Sequence, residues 1–201
     1  MNKRILLAGV IAGVIVFAWE AVAHMMTPLG EAGLKRIPNE AAVIETMRTT
    51  MTDSGFFMFP APEVKPGMSS AEKKQAMDAA MQKAKSGPSG LLLFFRRNGY
   101  GELAPSQFAT QLLCDIVVMC LAGWLLASLS TGTSFAGRWI PVLAMGLFSV
   151  LRSDIPMWNW LGFPRQYIGA QVAIDLIGFA LGGFVLAKMV RGPAKASAAS
   201  A

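Results

Sequence analysis

Six polar side chains in otherwise apolar stretches have the types and spacing to do chemistry: Glu20, His24, Gln111, Asp115, Gln171 and Asp175. They fall into three pairs four residues apart: Glu20 with His24, Gln111 with Asp115, and Gln171 with Asp175. On a helix that spacing puts both members of a pair on one face, one turn apart. A carboxylate inside a membrane helix costs at least about 2.5 kcal/mol on insertion scales, so it turns toward the bundle interior and finds a partner. Carboxylates gathered at one level cannot all ionise cheaply. Two roles follow from this. The cluster could exchange protons or hold a cation in a small polar pocket. It could equally be structural, with glutamines and protonated aspartates hydrogen-bonding between helices.

The elements that must position these groups are visible in a repeat. The stretch QLLCDIVVMCLAGWLLA at 111–127 recurs as QVAIDLIGFALGGFVLA at 171–187, matching Gln111 to Gln171, Asp115 to Asp175 and Gly123 to Gly183. Both copies are apolar enough to span a bilayer. At 1.5 Å per helical residue, Asp115 and Asp175 lie about 12 Å below the outer end of their helices, and Glu20 about 9 Å below its own. The three acids therefore share one level of the outer leaflet, with His24 and both glutamines one turn above. Gly178 and Gly182 share the face of Asp175, which marks it as a helix-packing face. Gly9 and Gly13 form a G-x-x-x-G on the stripe of Glu20 and His24, a pattern that admits a close neighbouring helix.

The composition supports this setting. The chain has 201 residues, of which 54% are hydrophobic and only 15% charged, against about a quarter charged in a soluble domain. The apolar residues gather in four blocks, at 5–26, 107–129, 135–151 and 167–190. The fold class expected is an all-α polytopic membrane protein of four transmembrane helices arranged as two hairpins, first with second and third with fourth. Between the first two helices lies a small α+β extracytoplasmic insert at 27–106. A tail at 191–201 reads as disordered and cytoplasmic. The third block is short and spans only if Arg138 and Arg152 snorkel to the two interfaces. Residues 1–23 have a second reading as a signal peptide, with Lys3 and Arg4 leading an apolar run to Ala21-Val22-Ala23.

The net charge is +6. Lys3, Arg4, Arg138, Lys188, Arg191 and Lys195 fall on one side of a four-span topology, which makes that side cytoplasmic and leaves both termini inside. Trp158, Trp160 and Tyr167 then form an outer aromatic belt, and Trp139 an inner anchor. No arginine-rich patch interleaves with exposed aromatics, so nucleic acid is not expected as a partner. The expected partners are the lipid bilayer and either other membrane subunits or a second copy.

The insert reads as helix, strand, helix, strand. Pro38-Asn39-Glu40 opens a helix to Met51, with Pro38 in its first turn, and GFFMF at 55–59 is a strand. Ser69 and Glu72 form a capping box for a helix to about Lys85, and LLLFF at 91–95 is a second strand. Two strands are marginal alone, so the insert is expected to pack on the membrane surface or on a partner. Met47, Met51, Met58, Met68, Met77 and Met81 admit a copper-handling reading, since thioethers suit Cu(I). His24, Met25 and Met26 could add ligands at the outer face. The methionine spacings also fit helix faces, and a single histidine rules out a histidine-rich site within one copy. Cys114 and Cys120 are about 9 Å apart along a helix, too far for a disulfide. No cofactor is implied. No nucleophile elbow, P-loop, H-E-x-x-H or dinucleotide fingerprint occurs, so a non-enzymatic protein is expected.

One further stretch stands out. Residues 153–164 (SDIPMWNWLGFP) read as a rigid, Pro-bounded aromatic loop at the outer face. Arg152, Asp154, Trp158, Asn159 and Trp160 could lid the acid cluster or dock a partner, with Arg152 the nearest fixed cation, or simply form an interfacial belt. Together with Trp19-x-x-x-x-His24 and Pro38-Asn39-Glu40, the run Pro156–Pro164 (PMWNWLGFP) resembles small, uncharacterised bacterial integral-membrane proteins. The resemblance implies a bacterial cytoplasmic (inner) membrane and carries over no functional residues. The expected function is an accessory or assembly subunit of that membrane. The alternatives are a small proton- or cation-coupled carrier using the carboxylates, and copper handling at the outer face.

Overall fold

Four helical segments of the computed structural model are long and apolar enough to cross a membrane, which makes this a multi-pass membrane protein. The structure describes residues 3–99, 101, 103–128 and 134–190; the segment 191–201, read as a disordered tail, lies outside them. Helix α1 spans Lys3–Met26, α4 Pro105–Ser128, α5 Phe135–Arg152, α6 Asp154–Leu161 and α7 Arg165–Met189. Elements α2, β1, α3 and β2 belong to the segment between α1 and α4. The chain divides into two compact units, 35–102 and the remainder. Residues 27–34 and 103–106, assigned to the insert from sequence, thus belong with the long helices.

Helix α1 packs chiefly on α4 and α7, and α5 packs on α7. The glycines show how. A Cβ on Gly13 would sit 2.5 Å from the Ile116 Cα, and one on Gly9 2.7 Å from the Cys120 Cα, so the G-x-x-x-G brings α1 and α4 into backbone contact. In lipid, close packing of small residues does the work that hydrophobicity does in water. The α7 glycines receive larger neighbours: Gly182 takes Val16 and Met119, and Gly183 takes Val142 and Trp139. Gly146 of α5 lies against Phe179. These contacts set the directions. Both α4 and α7 run antiparallel to α1, so they run parallel to each other, and α5 is antiparallel to α7. The dry centre is built from Ala8, Ala12, Val16, Met119, Leu126, Val142 and Leu186. Helix α1 is therefore part of the core, not an appended segment.

Indole and guanidinium donors lock the helices further. Trp19 Nε1 donates to the Ile174 carbonyl at 2.9 Å, and Trp139 Nε1 to that of Ala180 at 2.9 Å. Trp139, expected as an interfacial anchor, is turned inward onto α7. Arg138 Nε donates at 2.8 Å to the Ala187 carbonyl in the last turn of α7. There it meets carbonyls left open by the helix end and the negative pole of its dipole.

The aromatic stretch after α5 is not the expected loop. Residues Asp154–Leu161 form helix α6, closed by Gly162 in the left-handed conformation at φ 69°. Asp154 in its first turn suits the positive helix end. With α5 it completes a third apolar segment of 27 residues, Phe135–Leu161, longer than the block read from hydropathy alone. The one proline within α6, Pro156, stands in the first turn, where its missing N–H costs no bond.

The 35–102 unit has the expected order of elements: α2 Glu40–Thr50, β1 Gly55–Phe59, α3 Ser70–Ser86 and β2 Gly90–Phe95. The strands pair antiparallel, with Phe59 opposite Gly90 and Gly55 opposite Phe95. The capping box is present in both directions: the Glu72 amide donates to Ser69 Oγ and the Ser69 amide to Glu72 Oε2. The Ser69 hydroxyl also donates to Glu72 Oε2 at 2.7 Å, and this bond, with that from the Ser69 amide, holds the Glu72 carboxyl below its ordinary value. Pro38 is not in the first turn of α2, because left-handed Asn39 (φ 50°) is the cap and places the proline outside the helix. Among its described residues only Ala80 is a buried apolar side chain, while Ile44, Phe56, Met58 and Met81 are exposed.

Candidate functional site

The packing of α1, α4 and α7 determines where the polar side chains end up. Since α4 and α7 run the same way on two sides of α1, their Gln–Asp pairs arrive at one level, facing Glu20. A cavity of about 520 Å³ opens there. It is lined by Glu20 and His24 from α1, Gln107 and Gln111 from α4, and Gln171 and Asp175 from α7. Phe17, Met25, Leu103, Phe108 and Ile174 give the rest of its wall an apolar character. Five of the six sequence-derived cluster residues thus line one cavity.

The sixth, Asp115, stands behind that wall and is joined to it by Gln111. The Gln111 amide nitrogen donates to Glu20 Oε2 at 2.9 Å and to Asp115 Oδ1 at 3.0 Å. One side chain therefore bridges α1 to α4 and orients two carboxylates. Asp115 is 6% exposed and its Oδ2 is buried without a hydrogen-bond partner. Asp154 repeats this state, 7% exposed with Oδ2 unpartnered. It lies within electrostatic range of Asp175, as Asp115 does of Glu20. Among the described residues none of these four acids has an ion-pair partner; the salt bridges Arg48–Glu45 and Lys74–Asp78 lie elsewhere.

The residues of the supposed lid divide. Asp154 faces inward toward Asp175, whereas Asn159 and Trp160 are exposed and Trp158 lies 5.6 Å from the Arg165 guanidinium. Arg152, expected as the counter-cation, is exposed in the last turn of α5 and does not line the cavity. Across the α5–α6 junction Arg152 is thus exposed while Asp154, two residues on, is buried.

Met25 lines the cavity and His24 stands beside it, but Met26 is 80% exposed and outside it. The insert methionines do not form one group either: Met47 and Met51 lie along a groove on α2, Met68 along another beside α3, and Met58, Met77 and Met81 are exposed. Among the described residues, no three His, Cys, Asp or Glu side chains converge closely enough to hold a metal ion. Sequence reasoning missed Gln107, which its place one turn before Gln111 could have revealed. It also missed Phe17, Phe108 and Ile174, which carry no signal until the helices are packed. No family model, curated protein or solved structure matches the chain.

Proposed function

We propose that this chain is a small cation-binding carrier of the bacterial cytoplasmic membrane, exchanging protons for a cation at the Glu20–Asp175 cavity. The observation that carries the reading is that Glu20 and Asp175, on different helices, line an open cavity of about 520 Å³ and have no cationic partner among the described residues. Acids in membrane helices face the bundle interior or a water-filled cavity, where they pair with one another or mark an ion or substrate path. Here a cavity is present. The orientation proposed is N-in and C-in, because Lys3, Arg4, Arg138 and Lys188 gather at the end of the bundle opposite the cavity. The cavity and the 35–102 insert then belong to the outer face. Four spans are few for a carrier, so a second copy is part of the proposal.

The accessory-subunit reading is favoured by one different observation, the Gln111 bridge between α1 and α4, which is the hydrogen bonding a structural cluster would show. The two readings part on Glu20→Gln and Asp175→Asn, assayed for thermal unfolding in detergent and for pH-gradient-coupled cation uptake in proteoliposomes. The carrier reading expects folded variants without coupled uptake. Folded variants with uptake equal to the parent, or a parent that takes up nothing, would leave the accessory reading.

A further inference from the structure

We infer that the cavity's ligand is an organic ammonium ion with an apolar body, not a bare inorganic cation. The inference rests on the cation reading above and adds the chemical class of the ligand. Size is the first argument. About 520 Å³ is within the range of small-molecule sites and far beyond what a dehydrated metal ion fills.

The disposition of the acids is the second. Glu20 and Asp175 are on separate walls, and no three His, Cys, Asp or Glu side chains among the described residues approach metal-ligand geometry. A metal ion needs ligands converging on one point. An ammonium group needs only acceptors within reach of its N–H donors, and long-range charge compensation. The site has surplus acceptors: the Gln111 amide is already shared between Glu20 and Asp115, and Asp175 on the other wall accepts no hydrogen bond among the described residues. A half-buried carboxyl group without a donor is costly, and a ligand that brings donors relieves that cost.

The wall chemistry is the third. Phe17 and Ile174 flank the acids, and the exposed Met25, Leu103 and Phe108 continue the apolar lining. An aromatic or alkyl body would lie along these side chains while its ammonium meets Glu20 and Asp175, and aromatic faces attract cations as well.

Titration calorimetry of the purified full chain in mild detergent tests this, with 2-phenylethylammonium as probe and 2-phenylethanol, ammonium and sodium as comparisons. The expected result is binding of 2-phenylethylammonium, with each comparison at least about thirtyfold weaker, the factor for losing a buried charge partner. Glu20→Gln or Asp175→Asn should weaken the probe by a similar factor, and Phe108→Ala by about tenfold. Sodium or ammonium binding as tightly as the probe, and lost in Asp175→Asn, would overturn the organic class while leaving a cation site. Absence of binding by any of the cations would remove both. These selectivities are read on the parent protein, so they decide the matter even where a variant fails to fold.

Discussion

A glutamine amide offers two N–H donors, and at Gln111 the nitrogen serves Glu20 on another helix as well as Asp115 on its own. The matching Gln171 and Asp175 have no such bond among the described residues. The sequence copies are alike, but α1 presents a different side chain to each. It offers Glu20 to α4 and the Trp19 indole to α7, where Trp19 donates to the Ile174 carbonyl. The four-residue spacing therefore revealed each pair, while the asymmetry between pairs depended on the rotation of α1, which no local pattern encodes. Replacing Gln111 by Leu removes both bonds and leaves two carboxylates without a donor. The expected loss is about 1 kcal/mol of bundle stability, in line with interhelical hydrogen bonds in membranes. Detergent unfolding measures it, and an unchanged midpoint would mean that the bridge contributes nothing.

Helices α1 and α4 approach as closely as they do because Gly9 and Gly13 have no side chain. That contact was legible as a G-x-x-x-G, and so was the packing face marked by Gly178 and Gly182. Helix α6 was not. Its prolines and aromatics read as loop residues, yet Pro156 stands in a first turn and Gly162 supplies the left-handed stop, so the same residues also fit a short helix with both ends defined. Pro38 was misplaced for a related reason: a proline before a helix can stand inside the first turn or just outside the cap. Packing makes a sharp prediction at Gly13. A methyl group there meets the Ile116 backbone at 2.5 Å, which no rotamer change can relieve. Gly13→Ala should cost about 1–3 kcal/mol as overpacking. Gly169→Ala, at a position with nothing within 4 Å, should be near neutral. Equal effects of the two, measured by unfolding in detergent, would show that the α1–α4 contact does not set the bundle.

At the scale of the whole molecule, hydropathy and charge made the four spans, the element order of the insert and the shared level of the acids readable. The cavity was not, because it is a product of three helices, and its apolar wall is made of residues indistinguishable in sequence from lipid-facing ones. The inward turn of Asp154 and the outward turn of Arg152 likewise follow from one junction between α5 and α6. What ties the account together is that acids from α1, α4 and α7 act as one site. Infrared pH titration of the carboxyl bands tests this most directly, comparing the parent with Glu20→Gln, Asp115→Asn and Asp175→Asn in detergent. Interacting acids titrate as a set. The account predicts that removing any one of the three also shifts the titration of the other two. If each substitution deletes its own band and leaves the others where they were, the three carboxylates are independent and the single-site claim is wrong.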